Sequence, residues 1–434
     1  MIPRIIRPLA LLAGVAAASA AAAPKAPAIG HILVIYLENH SFDNLYGFFP
    51  GADGIGQAPA ENRLQVDTHG KIYGSLPQTD GRFPADLPNA PFDIGRYVPP
   101  DQKIPDLVHR FQENQAQING GRMNRFAAHS DRKGLAMGYY QGRDLPLWQY
   151  ARRYTLADHF FQAAFGGSYL NHQWLICACT PRFENAPPKL LEDGSVTTDG
   201  YAINTVQPAA SPHDPLTPPE HRLPPLDQPT IGDRLSAAGV DWAWYAGGWN
   251  DAVAGHAARN FQYHHQPFAY YRRYAGTEEG HRHLKDEADL VRAIDDGSLP
   301  PVAFYKPIGD LNEHPGYADL VSGEKHIAEL LRRIENSPLF ADAVVVVTYD
   351  EYGGFWDHVP PPAGDRWGPG PRVPALIISP FARRGHVDHR VYDTTSILKL
   401  IEGRHRLAPL GERDARADDL IQALVRQPLA AASR

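Results

Sequence analysis

Several short runs of the chain are apolar at nearly every position rather than at alternate ones. Residues 31–37, 155–161, 240–245, 302–306, 343–349 and 374–379 read this way. A strand that is apolar on both sides is buried on both faces, as in a parallel sheet covered by helices. Helical periodicity fills some of the intervals. Residues 324–336 place Ile327, Leu330, Leu331 and Ile334 on one face. Residues 230–238 end at Gly239, a C-terminal cap signal, just before the next strand. Residues 394–401 form a further helix, ended by Gly403. This alternation predicts an α/β fold with a mostly parallel central sheet sandwiched by helices. Two stretches interrupt it: residues 50–106, rich in Pro, Gly and Asp, and residues 181–228, richer still in proline. Loops of that length inside a compact domain act as lids or walls. No repeat or linker divides the chain, so residues 24–434 are expected to form a single domain.

The ends of two apolar runs carry the chemistry. Val344-Val345-Val346-Val347-Thr348-Tyr349 runs into Asp350-Glu351, and Ile32-Leu33-Val34-Ile35-Tyr36-Leu37 runs into Glu38-Asn39. Ligands of open α/β sheets bind beyond the carboxyl ends of strands. Two buried strands ending in oxygen-bearing side chains suggest a hard-cation or phosphate site between them. Asn39 and Ser41 also suit capping of a helix from Phe42 onward, and the two readings are compatible, because helix N-termini bind anions.

Ser168 follows Gly166-Gly167 and opens a helix through Ile176. A serine there is most often an N-cap. A neighbouring metal would instead turn it into a nucleophile. His109, His264, His265 and His314 lie in loops, the last three after strands. Together they could bind phosphate oxygens as imidazolium, charged at mildly acidic pH, or protonate a leaving alkoxide. Asp357 and His358 follow the acids and either orient Asp350 or Glu351 or form a tight turn.

Composition narrows the choice. The chain of 434 residues is 43% hydrophobic, enough for a sizeable core, and its net charge of −7 argues against general nucleic-acid binding. Arg4 and Arg7, the apolar residues 8–18 and the small residues at 18–23 form a secretory signal peptide over residues 1–23. Export to the periplasm or beyond is therefore expected. No other segment looks transmembrane. Cys177 and Cys179 are separated by one residue, a spacing that closes a very small ring. They are expected to be free, buried cysteines in a helix.

Three motifs taken together carry a resemblance. They are Leu37-Glu38-Asn39-His40-Ser41-Phe42-Asp43-Asn44-Leu45-Tyr46-Gly47, Gly166-Gly167-Ser168-Tyr169-Leu170-Asn171-His172 and Tyr349-Asp350-Glu351-Tyr352-Gly353-Gly354-Phe355-Trp356-Asp357-His358-Val359-Pro360-Pro361. They resemble the bacterial phosphoesterase family of secreted acid phosphatases and phospholipases C, within the alkaline-phosphatase-like superfamily. The resemblance implies that Glu38, Asn39, Asp350 and Glu351 hold one divalent metal ion, with calcium, magnesium, manganese and zinc all compatible. It implies that Ser168 is the nucleophile, where phospholipases C typically carry threonine. It places His109, His264, His265 and His314 near the phosphate. The chain ends soon after residues 394–401, without the β-rich modules common in phospholipases C, which with Ser168 favours the phosphatase branch. The expectation is an exported, metal-dependent phosphomonoesterase with a phosphoserine intermediate and His314 as acid. Its partner would be a phosphate-ester substrate. A phospholipase C-type phosphodiesterase and a non-catalytic exported metal- or anion-binding protein are the alternatives.

Overall fold

The computed structural model of the chain describes residues 28–424. The expected signal peptide, residues 1–23, lies outside them. An eight-stranded sheet forms the centre. Its strands are β1 (His31–Leu37), β2 (Thr155–Ala157), β3 (Trp242–Ala246), β4 (Leu284–Asp286), β5 (Val302–Lys306), β6 (Ala343–Tyr349), β7 (Ala375–Ile378) and β8 (His386–Asp388). The spatial order is β8-β2-β7-β6-β1-β5-β3-β4. All neighbours run parallel except β7, which is antiparallel to both β6 and β2. The expected mostly parallel α/β sheet is therefore present. β1, β5 and β6 hold the middle, and their apolar side chains are buried on both faces. β1 and β6 pair in register from His31 opposite Ala343 to Leu37 opposite Tyr349. That register brings Glu38 and Asp350 out of the sheet side by side.

Some boundaries differ from the sequence reading, each for a local reason. The run 155–161 breaks in two. Phe160–Phe161 pairs instead with Tyr392–Asp393 in a small separate sheet. Asp158 and His159 cause the break, because the Asp158 carboxylate is taken by the His159 and His389 rings at 2.9 and 2.7 Å. The helix Leu320–Glu335 starts earlier than expected because Asp319 caps it, accepting from Ser322 N at 2.8 Å. The helix Thr394–His405 passes through Gly403 and ends at Arg406, which adopts the left-handed conformation itself. Cys177 and Cys179 form a disulfide, against the expectation of free thiols. Ala178 between them ends its helix in the left-handed conformation (φ 49°), and the turn brings the two Cα atoms to 5.1 Å. The proline-rich stretch 181–228 contributes Ser195 and Asn204 to a cavity wall over the sheet's carboxyl edge. No helix among the described residues is long and apolar enough to cross a membrane.

Candidate active site

Glu38 and Asn39 leave β1 where the chain turns sharply. Asn39 takes a left-handed conformation (φ 65°), which asparagine tolerates better than most residues. Ser41 then caps the short helix Phe42–Tyr46, accepting from Asn44 N at 3.2 Å. Capping thus falls to Ser41 and leaves Asn39 to the site. Asp350 and Glu351 leave β6 next to them, and Asn39 N donates to Asp350 Oδ1 at 3.3 Å. Gly353 has φ +64°, and a Cβ there would sit 2.0 Å from the Asn39 carbonyl oxygen. Glycine is what lets the two strand-end loops touch.

Ser168 begins the helix Ser168–Cys177, whose cap position is Gly167. Its hydroxyl does not cap the helix. Oγ donates to Glu38 Oε2 at 3.1 Å and lies 3.4 Å from Asn39 Oδ1. Glu38, Asn39 and Asp350, three of the expected ligands, therefore meet at the expected nucleophile, and Glu351 follows Asp350 in the chain, its Oε1 3.8 Å from His109 Nε2. Glu38, Asn39, Asp350 and Glu351 are fully buried. Asp350 Oδ2 and Glu351 Oε1 are buried without hydrogen-bond partners. Burial, followed by the charge of neighbouring carboxylates, raises the Asp350 and Glu351 carboxyls well above the usual range. Buried carboxylates crowded in this way want a cation, and an all-oxygen set suits a hard divalent ion. The residues fit the metal that the motifs imply.

Two further residues went unread in the sequence. Lys306, the last residue of β5, is fully buried with its ammonium on Glu38 Oε1. Burial opposes the Glu38 charge, but Lys306 and then His265 hold that carboxyl well below its ordinary value. His172 lies one helical turn beyond Ser168, where positions four apart share a face. Its Nδ1 donates to the Ser168 carbonyl at 2.8 Å and lies 3.7 Å from Asp350 Oδ2. The position of Lys306, ending an apolar strand beside β1, is the same signal that marked Glu38 and Asp350.

The four expected histidines divide between two places. His109, His264 and His314 line a cavity of about 380 Å³ that also exposes Ser168, Arg110 and Tyr317. His109 Nε2 lies 3.8 Å from Glu351 Oε1, and His314 Nε2 lies 4.0 Å from Glu38 Oε2. The His314 ring stacks on Tyr317, and its Nδ1 donates to the Pro315 carbonyl at 2.5 Å. His265 sits behind the carboxylates rather than in the cavity, with Nε2 2.8 Å from Glu38 Oε1 and its ring stacked on His172. The expected imidazolium character at mildly acidic pH is corrected for three of them. Burial, as the largest influence, lowers His314, lowers His264 well below 6.5 and brings His265 down to about 4.

Asp357 and His358 do not touch Asp350 or Glu351 in the role of orienting partners. They join a buried network that ties the two ligand-bearing segments together. His358 Nδ1 lies 2.6 Å from Asp43 Oδ2, and Asp43 N donates to Asp357 Oδ2 at 3.1 Å. Arg372, fully buried, donates Nε to Asp357 Oδ1 (2.8 Å), Nη1 to the Asp53 and Asp158 carbonyls (both 2.8 Å), and Nη2 to Asp43 Oδ1 and Asp357 Oδ2 (both 3.2 Å). These contacts use the five N–H donors of a guanidinium.

The chain is similar to several known proteins. A protein named non-hemolytic phospholipase C from Pseudomonas aeruginosa is 25% identical over 423 residues, covering 87% of this chain and 54% of that protein. Phospholipase C A from Mycobacterium tuberculosis is 26% identical over 420 residues, covering 87% of this chain and 72% of its own length. The chain thus spans about half the length of the Pseudomonas relative. Among solved structures, a protein in the alkaline phosphatase superfamily from Vibrio parahaemolyticus superposes with TM-score 0.37 at 10% identity, covering 74% of each chain. The lipoteichoic acid synthase LtaP from Listeria monocytogenes superposes with TM-score 0.40 at 8% identity, covering 92% of this chain and 77% of that one. The match to the Phosphoesterase family extends over residues 29–408, and the chain belongs to that family.

Proposed function

We propose that the protein is an exported, metal-dependent phosphomonoesterase that works through a phosphoserine. The observation that carries this reading is the Ser168 hydroxyl, held by Glu38 and Asn39 in a cavity whose lining includes His109, Arg110, His264 and His314. Glu38, Asn39, Asp350 and Glu351 would hold one divalent ion. When bound, such an ion supplies Lewis acidity at the phosphoryl oxygens and lowers the pKa of the serine hydroxyl.

The chain's own residues supply the rest. Ser168 attacks phosphorus as the alkoxide, its proton having left to solvent through the cavity, and the new P–O bond forms as the bond to the leaving alcohol breaks. The acceptors Glu38 Oε2 and Asn39 Oδ1, facing the Ser168 hydroxyl, fix the direction of Oγ. The first N–H groups of the helix Ser168–Cys177 face the site and favour the charge on the phosphoryl group. His314, at the cavity wall, gives a proton to the departing alkoxide. The low values of His264 and His314 in the free protein do not oppose this role. A phosphate dianion beside an imidazole favours its charged form and raises it again. Water then attacks the phosphoserine and gives one proton back to His314; the bond from phosphorus to Oγ breaks, releasing phosphate and returning the Ser168 alkoxide. Arg110 with His109, His264 and His314 suits the three terminal oxygens of a monoester.

A phospholipase C-type phosphodiesterase is the second reading, favoured by the names of the curated relatives. One comparison tests both. Phosphate release from p-nitrophenyl phosphate and head-group release from phosphatidylcholine are measured at equal concentration, with calcium, magnesium, manganese or zinc and with chelator. Faster turnover of the monoester, lost on chelation, supports the phosphomonoesterase. Preference for the lipid transfers the site to diesters. No turnover of either with any ion would leave a non-catalytic metal- or anion-binding protein.

A further inference from the structure

Lysine is almost never fully buried unless it is paired. Lys306 is 0% exposed, and its partners lie in the candidate metal site. Its ammonium sits on Glu38 Oε1, lies 3.7 Å from Asp350 Oδ2 and donates to the Leu37 carbonyl at 3.2 Å. The two oxygens of Glu38 therefore have different surroundings. Oε2 receives the Ser168 hydroxyl on the cavity side. Oε1 faces inward, to Lys306 and to His265 Nε2 at 2.8 Å.

His172 completes this inner side. Its Nδ1 faces the Ser168 carbonyl at 2.8 Å, and a carbonyl only accepts, so Nδ1 carries the hydrogen. The lone pair is then on Nε2, which is buried and has no hydrogen-bond partner. A histidine with one ring nitrogen donated to a carbonyl and the other bare is arranged as metal-ligating histidines are. Glu38, His172 and His265 each offer one ligand atom, all within 4.8 Å of one another.

We propose that Lys306 is the resident cation of this inner Glu38–His172–His265 position and that it restricts the protein to a single divalent ion. The inference rests on the reading of Glu38, Asn39, Asp350 and Glu351 as a metal site. Charge balance supports it. One divalent ion and one ammonium neutralise the carboxylates of Glu38, Asp350 and Glu351, and a second divalent ion beside the ammonium would not be neutralised. Lys306→Met keeps the unbranched apolar stem, ends one atom short of the ammonium position and removes the charge. It leaves Glu38 Oε1, His172 and His265 open to a second ion, and this mixed nitrogen and oxygen set suits zinc.

The test is a metal count. The full-length mature protein is loaded with zinc, exchanged into zinc-free buffer and measured by native mass spectrometry and elemental analysis. The wild type should carry one ion at the site, Lys306→Met two, Lys306→Arg one, and Lys306→Met with His265→Ala one again. A Lys306→Met count equal to wild type overturns the proposal. So does a second wild-type ion that disappears in His265→Ala, and this measurement needs no Lys306 variant to fold. Thermal melting of Lys306→Met with and without zinc adds a further check, since zinc should raise its midpoint more than it raises that of the wild type. A wild type that binds no zinc, manganese, magnesium or calcium overturns the underlying metal site as well, which distinguishes that failure from a wrong ion count.

Discussion

Replacing Arg372 with methionine should destabilise the fold by about 3–5 kcal/mol at neutral pH, the typical cost of breaking a buried ion pair from one side. The magnitude follows from what the guanidinium touches. Its donors all reach acceptors, two on Asp357, one on Asp43 and two on backbone carbonyls. Methionine fills part of the volume but leaves Asp43 and Asp357 buried without their counter-ion. Against a folding free energy of roughly 5–15 kcal/mol the loss is large. The assay is equilibrium urea unfolding followed by tryptophan fluorescence, with linear extrapolation to water. Lysine supplies three donors where five are needed, so Arg372→Lys should fall between the two. Burial already raises the Asp357 carboxyl even with Arg372 present. Without Arg372 it rises further. A carboxyl whose folded pKa exceeds its unfolded value gains stability as pH falls through the folded value, so part of the loss should return on acidification. A loss below about 1 kcal/mol, the scale of an exposed pair, would refute the view that this network is a desolvated tie.

Other outcomes follow from the same geometry. Asp350→Asn should lower metal affinity by at least the about 10- to 100-fold typical of losing even an outer-shell partner, and unchanged metal content by mass spectrometry would remove Asp350 from the ligand set. Burial lowers His314 below 6.5 in the free protein. If its proton goes to the leaving group, kcat/KM for an alkyl phosphate should fall as pH rises through a value below 6.5. The same descending limb in His314→Gln would assign it to another group.

The sheet was legible because its strands are buried on both faces, which leaves no polar position to interrupt Val344–Val347 or Ile32–Leu37. Glu38, Asn39, Asp350 and Glu351 stood out as the polar groups that end those runs. Their meeting was not written locally, since Asn39 and Asp350 are 311 positions apart and join only through the β1–β6 register. Lys306 was passed over because a lysine after an apolar run usually marks the return to water, and only pairing with Glu38 keeps this one inside. His172 was hidden in a helix whose side chains are all buried, so no polar face singled it out. The cysteine pairing turned on the left-handed backbone of Ala178, a residue type that gives no warning of it. The protonation of the histidines depends on burial by distant segments, which spacing cannot express.

The most direct measurement for the central claim is the site of phosphorylation during turnover. Metal-loaded enzyme is mixed with p-nitrophenyl phosphate, quenched in acid within the first turnovers and digested for mass spectrometry. One phosphoryl group should appear on the peptide carrying Ser168. No such group should appear in Ser168→Ala, with turnover lower by at least about 10⁴-fold and an unchanged melting temperature. Phosphate release by Ser168→Ala at a rate near the wild type, or a phosphoryl group trapped on another residue, would contradict the claim.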